Sequence, residues 1–259
     1  MEIVIKPRES DCGILVADII ADAIKSGART LGLATGSSPI AVYRELIRRH
    51  RDEGLTFAGV RVFLLDEYIG LPPSHPQSYA HTIRQEFTDY VDIDPDEVHS
   101  PDGIADDIFA AAESYDAMIA TKGPVNIQLL GIGSNGHIGF NEPSSSLRSR
   151  TGVKTLTQQT RHDNARFFPN INEVPHHVIT QGLGTISEAE HLVLIATGSL
   201  KAAAIAAAVE GPLSASCPAS ALQLHPHVTV VVDDAAAAQL RDEEFYRYVL
   251  EHKPPHQKF

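Results

Sequence analysis

Only two cysteines occur in the 259 residues, Cys12 and Cys217, far apart and in no metal-like spacing. A disulfide framework and a cysteine metal cluster are thereby excluded, and two free thiols point to a reducing, cytoplasmic setting. No apolar run approaches the roughly 18 residues of a membrane span. The start, Met1-Glu2-Ile3-Val4-Ile5-Lys6, lacks the basic-then-apolar layout of a secretory signal. Positive charge is also scarce: 21 Lys and Arg face 33 Asp and Glu, for a net charge of -12. Such a chain is a poor non-specific nucleic-acid binder, and any anionic substrate must be held by a local positive site. With no internal repeat and no low-complexity linker, residues 1–259 are expected to form a single domain.

What is present is alternation. Six β-like runs stand at Ile3–Ile5, Thr30–Ala34, Arg61–Leu65, Val125–Leu130, His191–Ala196 and Val228–Val232. Several are nearly continuous apolar stretches, as strands covered on both faces require. Helical patterns fall between them. Leu15, Ile19 and Ala23 recur at spacing four before Gly27, and Ile40 to Arg49 stops before Gly54. Ala105 to Ala120 and Leu200 to Val209 complete the set. The expected fold is α/β, an open, mostly parallel sheet with helices on both faces. The longest irregular stretches, Asp66–Ser78 and Gly131–Thr155, both follow strands directly, where open α/β sheets bind ligands.

The stretch Gly131-Ile132-Gly133-Ser134-Asn135-Gly136-His137-Ile138-Gly139-Phe140 is the densest in chemistry. Its first six residues spell the dinucleotide fingerprint. That reading needs a helix near Gly136 and an acid about 20 residues on; instead Pro143 arrives early and Gly152-Val153-Lys154 fills the acid's place. The glycines then shape a loop that presents His137 and Glu142, a proton shuttle and a carboxylate able to orient it. Asp66, at the end of Leu64-Leu65-Asp66-Glu67, is a candidate base if it lies in a dry cleft. Asp66, His137 and Glu142 in a metal site is an alternative that no ligand spacing supports, so no metal is expected.

Two strand-to-helix turns look built for an anion. In Thr35-Gly36-Ser37-Ser38-Pro39, hydroxyls stand beside the free N–H groups of a helix start. No Gly-Lys-Ser/Thr follows, so it is no nucleotide P-loop; the plain alternative is a helix cap by Ser37 or Ser38. In Thr197-Gly198-Ser199-Leu200-Lys201 a lysine occupies a helix's first turn, where a cation is unfavourable unless an anion joins it. Arg161 and Arg166 are further phosphate forks.

In this order, Thr35-Gly36-Ser37-Ser38-Pro39, Leu65-Asp66-Glu67-Tyr68-Ile69-Gly70-Leu71, Gly136-His137-Ile138-Gly139-Phe140-Asn141-Glu142-Pro143, Ser149-Arg150-Thr151 and Leu222-Gln223-Leu224-His225-Pro226 resemble the glucosamine-6-phosphate deaminase (isomerase) family, from about Leu31 to Asp233. The resemblance implies a Rossmann-like fold of the phosphosugar-isomerase type. It implies a hydrolase of amino-sugar catabolism and N-acetylglucosamine utilisation, converting glucosamine 6-phosphate and water to fructose 6-phosphate and ammonia without a cofactor. His137 would open the sugar ring, with Glu142 and Asn135 in support, and Asp66 would remove the C2 proton. Thr35, Gly36, Ser37, Ser38, Arg166 and Lys201 would hold the phosphate. No nucleic-acid or membrane partner is implied, and a homo-oligomer is open because the family includes monomers and hexamers. Two departures stand out. Some members have aspartate at Asn135, and allosteric members have arginine at Gly152, so activation by N-acetylglucosamine 6-phosphate is expected to be weak or absent. A 6-phosphogluconolactonase would not need Asp66, and a sugar-phosphate-sensing regulator would need a DNA-binding module for which this acidic chain leaves no room.

Overall fold

The computed structural model describes residues 1–254, 257 and 259. Ten strands are β1 (Glu2–Lys6), β2 (Thr30–Leu33), β3 (Arg61–Leu64), β4 (Asp66–Tyr68), β5 (Val98–His99), β6 (Ile127–Leu130), β7 (Gly152–Thr155), β8 (His177–Thr180), β9 (His191–Ala196) and β10 (Val228–Asp233). The helices are α1 (Glu9–Lys25), α2 (Ile40–Glu53), α3 (Tyr79–Glu86), α4 (Ile108–Lys122), α5 (Gln158–Asn164), α6 (Leu183–Ile186), α7 (Ala202–Val209), α8 (Asp234–Ala237) and α9 (Glu243–Glu251). Seven strands form one parallel sheet in the order β1-β10-β9-β6-β2-β3-β5. The six runs expected from the sequence are all in it, with no end off by more than two residues.

Strand alternation splits the core into two layers. Leu192 and Leu194 of β9 join Ile3, Ile5 and Val230 on one face. Val193 and Ile195 join Val4, Val231 and the α1 side chains Val16 and Ile20 on the other. Acidic residues in the first turn of α1 and Lys25 in its last complement the helix dipole. Gly54, at φ 71°, ends α2 in the left-handed conformation that glycine tolerates best.

Four strands escaped the sequence reading. β4, β7 and β8 form a small antiparallel sheet, β4-β8-β7; β4 and β7 come from the stretches read as irregular, and β8 from a segment assigned to no element. β4 is Asp-Glu-Tyr and β7 is Gly-Val-Lys-Thr, so neither shows a hydrophobic period; each is a strand because it pairs with β8. β5 has two residues and is set by pairing with β3. A second correction concerns helix starts. Leu200 and Lys201 lie in a 3₁₀ turn that precedes α7, and α4 starts at Ile108, where Asp107 accepts from Phe109 N and Ala110 N.

Sheet order places the site. From β2 the chain crosses to β3, and from β6 it crosses the other way to β9, while β2 and β6 are neighbours. Their outgoing loops therefore part and leave a crevice at the carboxyl edge. Nearby, Phe87 is fully buried, its ring 5.0 Å from that of Tyr43 and 5.4 Å from that of Phe57. Phe87→Ala is expected to cost about 3–5 kcal/mol, read as a lower urea midpoint at unchanged m value.

Candidate active site

A cavity of about 390 Å³ fills the crevice. Four strand-end loops build it: Ala34–Pro39 after β2, Leu65–Asp66 after β3, Gly131–Phe140 after β6, and the turn with Lys201 after β9. Thr35, Gly36, Ser37, Ser38, Arg166 and Lys201 gather on its wall together with Asp66 and His137. Asn135 and Glu142 stand behind His137. Among the described residues, no group of three or more His, Cys, Asp or Glu side chains is placed to hold a metal ion.

Asp66 and Glu67 are both buried, at 6% and 2% exposure, yet they are used differently. Adjacent strand residues point to opposite faces. Glu67 accepts from Tyr68 N (2.8 Å), Tyr79 N (2.9 Å) and Ala80 N (2.9 Å), so it satisfies the start of α3. Burial pushes its carboxyl up, and these three donors oppose the shift. Asp66 has no comparable set of donors. Burial, then the charge of Glu67, push its carboxyl well above the ordinary value.

His137 sits on the glycine-shaped loop. A Cβ on Gly133 would lie 2.2–2.5 Å from the His137 ring, so only glycine leaves the ring room. At Gly136 φ is 83°, and a Cβ would come within 2.6 Å of Cys217 Sγ. Among the described residues, the buried His137 Nδ1 has no hydrogen-bond partner; Glu142 Oε2 lies 3.5 Å away. That distance is longer than a well-formed hydrogen bond, a common state of ligand-free sites. Asn135 Nδ2 donates to Glu142 Oε2 (2.7 Å), and Asn135 Oδ1 accepts from His137 N (3.2 Å). Asparagine thus links the loop to the carboxylate without touching the imidazole.

Glu142 is a hub that the sequence reading caught only in part. Thr160 Oγ1 donates to its other oxygen, and Thr157 Oγ1 lies 3.3 Å from the same atom. Burial alone would raise the Glu142 carboxyl, but His137, Thr160 and Asn135 outweigh it and hold it down to about 2. Thr157 caps α5 by accepting from Thr160 N (3.1 Å), so the carboxylate fastens that helix to the His137 loop. The local signal was Thr157-x-x-Thr160, a capping pattern with no hint of its distant partner.

The anion corner is polar and short of donors to itself. Neither Ser37 nor Ser38 caps α2; Pro39 stands at the cap, and the hydroxyls remain on the cavity wall. Burial lowers the Lys201 ammonium; Asp163 opposes that shift and Arg166 reinforces it. Arg166 is exposed, its guanidinium 4.7 Å from the Phe167 ring centroid. Arg161 is a correction: its guanidinium donates to Ile171 O (2.8 Å) and Val174 O (3.0 Å), holding the chain after α5. Tyr68, Tyr79 and Asn164 also line the cavity and were given no role from the sequence, since no local pattern shows that these three meet.

The profile of the glucosamine-6-phosphate isomerase/6-phosphogluconolactonase family matches residues 10–231. Glucosamine-6-phosphate deaminases of Rhodococcus opacus and Streptomyces coelicolor are 63% and 54% identical to the chain, over 100% and 98% of both partners. The solved structure of a monomeric glucosamine-6-phosphate deaminase superposes with a TM-score of 0.91 at 42% identity, covering 92% of this chain and 100% of that one. A Trypanosoma cruzi 6-phosphogluconolactonase shares the fold, with a TM-score of 0.75 at 19% identity over 93% of this chain and 97% of its own.

The Glu142 carboxyl has an ordinary value of 4.5 and is held at about 2 in the folded chain. A depressed carboxyl contributes stability that is present above its unfolded value and is lost as pH falls through the folded one. Roughly 3 kcal/mol should therefore disappear between about pH 5 and pH 2. In acid titrations followed by denaturant unfolding, Glu142→Gln should flatten the stability curve in that window. An equally steep curve would show that the depression is absent.

Proposed function

This chain belongs to the glucosamine-6-phosphate deaminase family, and from that premise we propose that it converts glucosamine 6-phosphate and water to fructose 6-phosphate and ammonia. The observation that carries the reading is Asp66: a buried carboxylate with a raised pKa, on a cavity wall shared with an anion corner and a histidine. A 6-phosphogluconolactonase has no enolisation step for such a base to serve, and the Trypanosoma cruzi lactonase, at 19% identity, shares only the fold.

The phosphate rests against Thr35, Gly36, Ser37 and Ser38, with Lys201 and Arg166 supplying charge. Lys201 is partly desolvated before substrate arrives, so an anion there offsets a cost already incurred. His137 moves the proton between the ring oxygen and O1 as the pyranose opens. Glu142 faces the imidazole and stabilises its charged form, and Asn135 holds Glu142 and the loop in register. Asp66 then takes the C2 proton, and burial makes its carboxylate a stronger base than one in water. The C–H bonding pair becomes the C1=C2 bond of an enolamine. A proton returns to C1, water adds at C2 and ammonia leaves, so no redox cofactor enters the balance.

We further take residues 1–259 to act as one cytoplasmic domain in N-acetylglucosamine utilisation. The adjacency of β1 and β10 in one sheet and the two unpaired thiols support this. A homo-oligomer stays open, since the 42%-identical structural relative is described as monomeric. Weak or absent activation by N-acetylglucosamine 6-phosphate is also proposed. Gly152 offers no guanidinium, and the neighbouring Arg150 is spent on Asp116 and Glu188.

Two measurements test these assignments. A coupled assay with glucosamine 6-phosphate should release ammonia and fructose 6-phosphate stoichiometrically, with a hyperbolic rate curve unchanged by N-acetylglucosamine 6-phosphate. Background-level ammonia would reject the activity, and a sigmoidal curve relieved by the effector would reject the regulatory proposal. Lys201→Ala should raise KM about tenfold or more while kcat is largely kept, the signature of lost ground-state phosphate binding. An unchanged KM would make Lys201 a bystander.

A further inference from the structure

Two hydroxyls in the cavity wall have no part in the scheme above. Tyr68 lies two residues beyond Asp66 on β4, so strand alternation puts both on one face, roughly 7 Å apart along the backbone. Tyr79 opens α3 and reaches the same wall. The two rings stack at 4.8 Å, their oxygens are 3.1 Å apart, and Asn164 Nδ2 donates to Tyr68 OH at 2.9 Å. Phe168 packs edge-on against Tyr68 at 5.7 Å, fixing the ring.

Counting protons gives the result. The two hydroxyls carry two. One lies between the two oxygens, whichever tyrosine donates it. The Asn164 amide is itself a donor, so it occupies a lone pair and uses no proton. The second hydroxyl proton has no side-chain or backbone acceptor among the described residues, and both tyrosines line the cavity. Burial pushes Tyr68 up to about 12 and Tyr79 well above its ordinary value, so both rings keep their protons at neutral pH. The groups that face the pair are few: Asp66 and Glu67 from β4 raise it further, and Asn164 from α5 is neutral. The result is a fixed O–H donor in the cavity that Asp66 also lines.

We propose that Tyr68 and Tyr79 act together as a paired hydroxyl donor that hydrogen-bonds to O1 of the open-chain substrate while Asp66 removes the C2 proton. The proposal rests on the deaminase reading. When the C2–H pair becomes the C1=C2 bond, the C1=O π pair moves onto O1, and that oxygen becomes the site of developing negative charge. Base and donor must reach C2 and O1 of one substrate, and residues i and i+2 of one strand face line the same wall. A preorganised donor in a dry site acts on the transition state more than on the bound sugar.

The test compares the parent with Tyr68→Phe, Tyr79→Phe and the double variant. Turnover, KM for glucosamine 6-phosphate and exchange of the C2 proton with deuterated solvent are measured, and thermal unfolding checks the fold. The double variant should lose about 100-fold in kcat, with exchange falling in step and KM within about threefold of the parent. Each single variant should lose about tenfold, because one ring hydroxyl survives without its partner. The singles decide the matter if the double variant does not fold. A kcat within twofold of the parent in the folded variants, or a loss confined to KM, overturns the proposal. Asp66→Asn serves as the reference that abolishes exchange. Ammonia release by the parent with undiminished turnover in the variants would reject the hydroxyl donor alone, whereas no ammonia from the parent would reject the deaminase reading itself.

Discussion

Two adjacent carboxyls, Asp66 and Glu67, are buried at the carboxyl edge of the sheet, and the site depends on their being treated differently. A buried carboxylate is costly unless donors surround it. Glu67 has them, because three backbone N–H groups and the start of α3 close around it. Asp66 does not, and it faces the cavity with a pKa raised by burial and by its neighbour. The short strand β4 makes this division, since alternation turns one carboxyl into the protein and the other out of it. β4 in turn exists through its pairing with β8, so the antiparallel sheet β4-β8-β7 is what aims the base.

A second carboxylate shows the opposite solution. Glu142 is held down to about 2 because His137, Asn135 and Thr160 converge on it. Asp66 on the cavity wall and Glu142 behind His137 thus have pKa values pushed in opposite directions, the pattern that separates a base from a fixed negative charge. The same Glu142 contacts couple the glycine loop to α5, and α5 carries Asn164 to Tyr68. Loop, helix and β4 are joined by these hydrogen bonds and by an apolar cluster that includes Tyr68, Phe140 and Phe168, so the walls of the cavity share polar and apolar partners.

Six of the seven strands of the large sheet were legible in the sequence because they are covered on both faces and read as largely apolar runs, while the two-residue β5 was not; His191–Ala196 was found at its observed limits. The loops after β2 and β6 were legible as well, since glycine, serine and proline at strand-to-helix turns have a local mechanism. Arg161 was misread for a related reason. An arginine beside a phosphate-like corner looks the same in sequence whether its guanidinium faces the ligand or caps Ile171 and Val174 carbonyls.

By itself the sequence determined the α/β class, the order of the main strands, the family, and the residue types able to move protons and hold an anion. These follow from local periodicity and from turn chemistry, which involve neighbours a few positions apart. Tertiary structure alone decided that Asp66 is unpaired and Glu67 is satisfied, that Thr160 reaches Glu142, and that the Tyr68 and Tyr79 hydroxyls meet. Each of these depends on partners 11 to 18 positions apart in the chain, or on pairing with β8 more than 100 positions away. Burial and hydrogen-bond satisfaction are properties of that arrangement in space, and no local pattern of residues encodes them.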